Sequence, residues 1–319
     1  MKRQRGVALI IALLAVALAT VLIAGLLDRG ELTLARTRNT LRGEQAQAYA
    51  EGLEAFAARV LVKSSEEGPG IDAADSLWAL PLPPQTVPGG LISAQMRDLN
   101  GCFNLNNLAP GVGSRQAWLE IFQRLLINLQ LNVDIADAAA DWTDPSPDGS
   151  GDAWYLGQPL PYRRAARGFN HVSELRLLRN VDSRTYAALA PYVCALPRDT
   201  RLNINTASVP LLMSLSDQIT SAVAERIWQG GKAHYTDVNA FVGLLQSAGV
   251  ADVGRISSLV STSSNYFEAR GDIELDDIPF SFISLIERSQ GIGVRVLARS
   301  RGSDESRLAI AAGRTAPSR

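Results

Sequence analysis

MKRQRGVALIIALLAVALATVLIAGLL, residues 1–27, opens with a basic stub and a single glycine and then runs to Leu27 without a charge. The break falls between Gly6 and Val7. As a helix, residues 7–27 would measure about 31 Å, close to the hydrocarbon thickness of a bilayer. Such an element can span a membrane, and the rest of the chain must be built onto its far end. Lys2, Arg3 and Arg5 hold the preceding end in the cytoplasm by the positive-inside bias. A single-pass inner-membrane protein with its remaining residues in the periplasm is the topology this predicts.

Three fates are open to the segment. A secretory signal peptide has a shorter apolar core, about 7–15 residues, followed by a small-residue cleavage site; here the longer run passes straight into a helical pattern at Asp28-Arg29-Gly30-Glu31. A signal anchor is retained whole. A prepilin leader is cut on the cytoplasmic side, after Gly6, so that the apolar run is kept and begins at Val7.

Outward from the anchor, Leu32, Leu34, Leu41, Ala46, Ala50, Leu53, Phe56, Ala57, Val60 and Leu61 recur at helical spacing among polar residues, with no proline before Pro69. One helix over residues 7–62, on the order of 80 Å long, is expected, its first half in lipid and its second half under a globular domain. Gly68 to Gly70, Pro81, Pro83, Pro84, Pro88 and Gly89-Gly90 read as loops. Residues 91–100 alternate as a strand, and strand signals return at 266–275, 280–288 and 293–301, a meander of three antiparallel strands. Between them lie helix candidates at 115–131, 134–143, 172–178, 183–190, 209–215, 221–229 and 238–245. Leu308 to Ile310 is a weak apolar stub, and the tail containing Pro317 reads as disordered. Because the early strand needs partners that arrive only after Leu259, a helical domain inserted into an α+β domain explains the order better than two domains in series.

Composition narrows the function. The 319 residues carry a net charge of −1, which offers nucleic acid no bulk attraction. His171 and His234 are the only histidines, too few for a catalytic zinc site built from imidazole, and neither lies near a motif that would make a nucleophile and base pair; His171 reads as a helix opener and His234 as a loop residue. An enzyme is not expected. Trp118 and Trp142 are read as core of the helical block. Cys102 and Cys194 are the two cysteines. In an oxidising periplasm such a pair reads as one disulfide, pinning the helical block to its host; two buried thiols are the alternative.

The segments RGVALIIALL, DLNGCFNLNNL, ADWTDPSPDGSGDAWY, PYRRA, HVSELRLLRNV, APYVCALP, RLNINTAS and FEARGDI follow one another along nearly the whole chain. In this ordered set the chain resembles the minor pseudopilin K (GspK) family of bacterial type II secretion systems. The resemblance implies an α+β fold in which a long N-terminal transmembrane helix packs on an antiparallel pseudopilin sheet carrying a large inserted all-α domain. The divisions would be leader 1–6, transmembrane half-helix 7–27, periplasmic half-helix and first part of the α+β domain 28–107, inserted helical domain 108–259, and C-terminal strands and tail 260–319. It also implies cleavage by a prepilin peptidase after Gly6, methylation of Val7, and assembly with minor pseudopilins I and J, and H, at the tip of a periplasmic pseudopilus that supports export of folded exoproteins. Most pilin-like subunits have a glutamate at the fifth mature position, where it meets the N-terminal ammonium of the neighbour nearer the tip. Here that residue is Ile11. A carboxylate in lipid is costly unless paired, and a subunit with no neighbour above it has no ammonium to meet.

Two further sites follow from the resemblance. Members of the family bind calcium in the helical insert, which makes Asp141, Asp144, Asp148 and Asp152 the candidate ligands in a Gly/Pro-bent loop; hard cations take six to eight oxygens at about 2.3–2.6 Å. Many relatives carry an extra glutamate where this chain has Gly151, which would weaken such a site, and no cofactor is otherwise required. Residues 201–227 are similar to a helix-hairpin-helix module, and residues 171–193 look like a second copy. That module grips phosphate through a glycine hairpin, whereas Leu215-Ser-Asp217-Gln-Ile219 has no glycine and an aspartate. A pilus or DNA-uptake component that binds nucleic acid is the alternative function, and the absent hairpin argues against it.

Overall fold

The computed structural model of the protein describes residues 4–67, 70–145, 150–289 and 293–302. Helix α1, Gln4–Glu67, is 64 residues long, about 96 Å from end to end. Residues 7–41 are exposed throughout. Beyond them Ala46, Ala50, Leu53, Ala57 and Leu61 are buried, in steps of three or four residues that place them on one stripe.

That stripe lies on a five-stranded antiparallel sheet in the order β1-β2-β7-β8-β9, made of β1 Leu82–Val87 and β2 Gly90–Asp98 and, far later in the chain, β7 Tyr266–Leu275, β8 Ile278–Ser289 and β9 Gly293–Arg301. The period of two along β7 turns Phe267, Ala269, Ile273 and Leu275 toward the helix, where they join Ala46, Ala50, Leu53, Ala57 and Leu61 in two small clusters. The helix comes so close that a Cβ at Gly271 would sit 2.8 Å from Leu53 Cδ1. β9 is tied to the helix by Arg299, whose Nε donates to Glu54 Oε1 at 2.7 Å, while Ser284 of β8 donates to the same oxygen.

The proline-rich stretch expected to be only loop contains β1. Its ladder to β2 is irregular between Leu82 and Gln85, where Pro83 and Pro84 stand. Proline has no N–H to give, and an edge strand with a bulge is the one place in a sheet that accepts it. The other strands fall where alternation places them. The expected stub at Leu308 and the tail with Pro317 lie outside the described residues.

β2 leaves the sheet at Asp98, and its partner begins at Tyr266: the register runs from Gly90↔Leu275 to Asp98↔Phe267. Between these strands the chain forms the helical block. Its elements are β3 Phe103–Asn104, α2 Arg115–Asn128, α3 Ile135–Trp142, α4 Ala153–Leu156, α5 Ser183–Leu189, β4 Val193–Cys194, β5 Leu202–Asn203, α6 Val209–Ser214, α7 Ser221–Trp228, α8 Val238–Ser247, α9 Val253–Leu259 and β6 Val260–Ser261. Trp118 and Trp142 are in its core, as expected. Residues 172–177 form a 3-10 helix rather than an α-helix, opened by His171, whose ring accepts from Ser173 N. Helix α9 was not expected: glycine and two serines give VGRISSL little intrinsic preference, and burial of Ile256 and Leu259 supplies the reason to fold.

The block consists of two copies of one unit. In each, a short strand pairs in parallel with a strand at the end of the unit: Phe103↔Val193 in the first and Leu202↔Val260 in the second. In each, an asparagine two residues into the turn clamps an aromatic residue by both backbone groups. Asn106 accepts from Phe169 N at 2.6 Å and donates to Phe169 O at 2.9 Å. Asn205 accepts from Tyr235 N at 2.7 Å and donates to Tyr235 O at 3.1 Å. Residues 171–193 therefore match the segment from Asp237 to Val260, not the helices that follow Arg201 as the sequence suggested.

Candidate functional site

The Gly6–Val7 bond, where the sequence predicts processing, lies in α1, which is helical on both sides of it. Val7 and Ile11 are exposed, 58% and 61%, as are the apolar side chains after them. Among the described residues, none covers this stretch. An exposed helix of this length and hydropathy is long and apolar enough to cross a membrane.

In the acidic loop, Asp141 stands in the last turn of α3 and Asp152 precedes α4. Asp141 Oδ2 accepts from Arg179 Nη2 at 3.3 Å. Asp152 Oδ1 accepts from the Arg164 backbone N–H at 3.3 Å and lies 3.4 Å from Arg164 Nε. Arg164 Nη1 also donates to the Asp141 carbonyl at 2.9 Å, and the Asp144 backbone N–H meets that carbonyl at 3.1 Å. Asp144 is half-buried, and Asp148 lies outside the described residues. Arg164 is buried and packs flat on Gly151, where a Cβ would come within 2.9 Å of Nη1 and 3.0 Å of Cζ. Among the described residues no three acidic, cysteine or histidine side chains converge as a metal would require. Tyr155 beside the loop has a buried hydroxyl with no partner among them, but burial raises its pKa, and a neutral phenol adds no charge to hold a divalent ion. Calcium does not fit the described side chains: the carboxylates of Asp141 and Asp152 are held by arginines, and a guanidinium lies between the chain segments that carry them.

The two cysteines meet where the block joins the sheet, in one buried cluster with Leu99 and Leu196. Both stand as thiols. Cys102 Sγ donates to Leu99 O at 2.8 Å, and Cys194 Sγ lies 3.6 Å from Cys102 O. Burial pushes the Cys102 thiol up, but its hydrogen bond with Cys194 and the Arg97 guanidinium outweigh this and hold it below the ordinary value. Cys102 forms part of the wall of a cleft of about 580 Å³ that Trp78, Tyr192 and Trp228 also line.

Beside the thiols lies a buried polar knot. Asp98 accepts from Asn100 N at 2.7 Å, from Asn203 Nδ2 at 2.9 Å and from Ser264 Oγ at 2.7 Å, and Thr206 donates to it as well. Asp72 accepts from Ser264 N at 2.7 Å, from Trp78 Nε1 at 2.9 Å and from Arg288. The knot thus joins the end of α1's following loop, β2, the second unit, β7 and β8. Burial pushes the Asp98 carboxyl above the ordinary carboxylate range; the donors from Thr206, Ser264 and Asn203 pull it down, and the neighbouring Asp72 adds to the rise.

The hairpin between α6 and α7 is occupied by the protein itself. Arg124 donates to the carbonyls of Ser214 at 2.7 Å and Leu215 at 3.2 Å, Ser216 Oγ donates to Asp252 at 2.8 Å, and Gln218 accepts from Ala251 N at 2.6 Å. Exposed Asp217 stands at its tip. His234 sits on the surface with Asp75 at 3.1 Å.

Two family models, each described as "Type II secretion system (T2SS), protein K", match residues 101–198 and 202–263, the same two stretches that form the repeated units. The type II secretion system protein K of Pseudomonas aeruginosa is 35% identical over 315 residues, covering 94% of this chain and 93% of that protein. The chain belongs to the type II secretion system protein K family. The protein K of Aeromonas hydrophila is 32% identical over 335 residues, 95% of this chain and 99% of that protein. A crystal structure of the GspK-GspI-GspJ complex from the enterotoxigenic Escherichia coli type 2 secretion system contains a chain that matches with a TM-score of 0.73 at 28% identity, over 84% of this chain and all of that one.

The protein K family gives the α+β fold, the long apolar helix and the sheet a common setting, that of a type II secretion pseudopilin whose N-terminal helix is long and apolar enough to cross a membrane. Within it, sequence reasoning missed the residues that hold the acidic loop and the junction. The two adjacent arginines of PYRRA, Arg163 and Arg164, do not say in sequence which one turns inward. The Asn-x-Asn spacing in NLN and NIN was the available signal for the clamps.

Proposed function

We propose that this chain is a minor pseudopilin that caps the tip of the periplasmic pseudopilus together with pseudopilins I, J and H and so supports export of folded proteins across the outer membrane. The observation that carries the reading is the join of an uncovered helix of membrane-spanning length to a sheet domain whose fold matches the protein K chain of the solved GspK-GspI-GspJ complex. A prepilin peptidase of the inner membrane cuts after Gly6, Val7 becomes the methylated N-terminus, and residues from 28 onward lie in the periplasm. Ile11 supports the terminal position, since it leaves no carboxylate in lipid to be neutralised. The role needs packing surfaces rather than catalysis, and no cofactor. The self-satisfied hairpin between α6 and α7, with Asp217 at its tip, favours a scaffold over a nucleic-acid grip.

The test is co-purification of the full-length chain from membranes with pseudopilins I and J of the same system, together with mass spectrometry of its N-terminus. A ternary complex and a methylated Val7 start are expected. A chain that keeps Met1, or that fails to join I and J, overturns the reading.

The thiols belong to the same proposal. After export Cys102 and Cys194 are joined: a thiol with a depressed pKa facing a second thiol in an oxidising compartment is the arrangement from which a disulfide forms.

A further inference from the structure

The acidic loop poses an electrostatic question that the assembly reading does not answer. Four aspartates stand between residues 141 and 152, and the loop is anchored at the C-terminal end of α3. Asp141 and Asp152 bring negative charge to the two ends of the loop, and the last carbonyls of a helix carry partial negative charge, so the place favours a cation. A cation is already there, and it is covalently attached. Arg164 reaches into the loop with its side chain 6% exposed. Its guanidinium donates to the Asp141 carbonyl at the helix end, approaches the Asp152 carboxylate, and lies on Gly151 with no room for a side chain between. Arg179 covers the Asp141 carboxylate from another side.

We propose that the Arg164 guanidinium takes the position a divalent cation would otherwise fill in this loop, so that the insert folds and remains ordered without calcium. A guanidinium is charged at every relevant pH and presents several donors in a plane, which suits one carbonyl and one carboxylate on different chain segments. A hard divalent ion in the same space would need to strip those oxygens from the arginine and then sit beside a buried positive charge. Gly151 is the complementary half of the device, because any side chain there would push the guanidinium out.

The test uses the full-length chain in detergent micelles, with thermal unfolding recorded in chelator and in millimolar calcium, and with terbium luminescence as a direct probe of a calcium site, read through nearby Trp142 and Trp154. For the unaltered protein the melting temperature is expected to be the same in both conditions, with no sensitised terbium emission. Arg164→Gln is expected to lower the melting temperature in chelator on the order of 5–10 °C, the loss typical of one partner of a buried pair. Gly151→Glu combined with Arg164→Gln is expected to gain terbium emission and a calcium-dependent rise in melting temperature. A calcium-dependent rise or terbium emission from the unaltered protein overturns the proposal, whether or not the variants fold. So does an Arg164→Gln protein that melts unchanged in chelator.

Discussion

The two units of the helical block share a skeleton and differ in what hangs from it. Each has a parallel strand pair and an asparagine clamping an aromatic backbone, Asn106 on Phe169 and Asn205 on Tyr235. The leading asparagine of the first unit, Asn104, donates to Pro197 O, a neighbour of its own closing strand. Its counterpart Asn203 reaches outside its unit, to Asp72 O, Asp98 and Ser264. The second unit is therefore fastened to the sheet by polar contacts, whereas the first meets it through the apolar cluster of Leu99, Cys102, Cys194 and Leu196 against Tyr266 and Leu285. The first carries the thiol pair and, between its clamp residues, the acidic loop that the second lacks. The two units thus share a frame, and what differs is the polar attachment carried by the second and the thiols and acidic loop carried by the first.

The largest effect expected from this contrast concerns the thiols, which only the first unit has. A disulfide between Cys102 and Cys194, 92 residues apart, would stabilise by about 4–5 kcal/mol through the unfolded state. Protein extracted from the periplasmic side without reductant should resist alkylation at both positions and melt lower after reduction, whereas Cys102→Ser with Cys194→Ser should melt low in either condition. Complete alkylation of the untreated protein would show that the first unit is held by its clamp alone.

Next come the clamps themselves. Replacing Asn106 or Asn205 by alanine leaves a buried N–H and C=O without partners, a cost of about 2–4 kcal/mol in each case. If the units differ as described, hydrogen exchange in Asn205→Ala should quicken in β2 and β7 as well as in its own unit, while Asn106→Ala should leave the sheet protected. Equal exchange in the two variants would erase the distinction. A smaller loss, about 1–3 kcal/mol of overpacking, is expected for Gly271→Ala. Its Cβ would meet Leu53 where α1 lies against the sheet, so the protection of both units should be retained.

These contrasts also show what a sequence exposes. Periodicity made α1 and strands β2, β7, β8 and β9 legible: the second half of α1, β7 and β8 bury one face along a regular repeat, and β9 alternates in sequence although it is largely exposed. The early strand with no nearby partner pointed to the insertion. β1 was hidden by Pro83 and Pro84, which an edge strand tolerates and a rule about breakers forbids. The duplication was hidden because its signature is two asparagines and an aromatic residue, with different helices between them. In the acidic loop the carboxylates were plain to see and the answering charge was not: Arg164 stands twelve residues after Asp152, beyond α4, in a stretch where the rings of Tyr155 and Tyr162 pack 5.5 Å apart.

The smallest effect tests the fastening of the second unit directly. Asp98 receives Asn203, Thr206 and Ser264 in a buried site, and burial, the largest influence on it, sets its carboxyl above the ordinary value. Between the unfolded value of about 4 and the raised folded one, the folded protein binds more protons at this residue than the unfolded chain. Stability owed to Asp98 is thus present at the acid end of the window and lost as pH rises through the folded value, with a slope of at most about 1.4 kcal/mol per pH unit. Asp98→Asn removes the titration and disturbs the donor pattern, so it should be less stable than the unaltered protein by a margin that narrows as pH rises across the window. Denaturant unfolding from pH 4 to 7 measures that margin. A constant margin would mean that the carboxylate keeps its ordinary pKa, and that the knot is wetter than the burial of Asn203 and Ser264 requires.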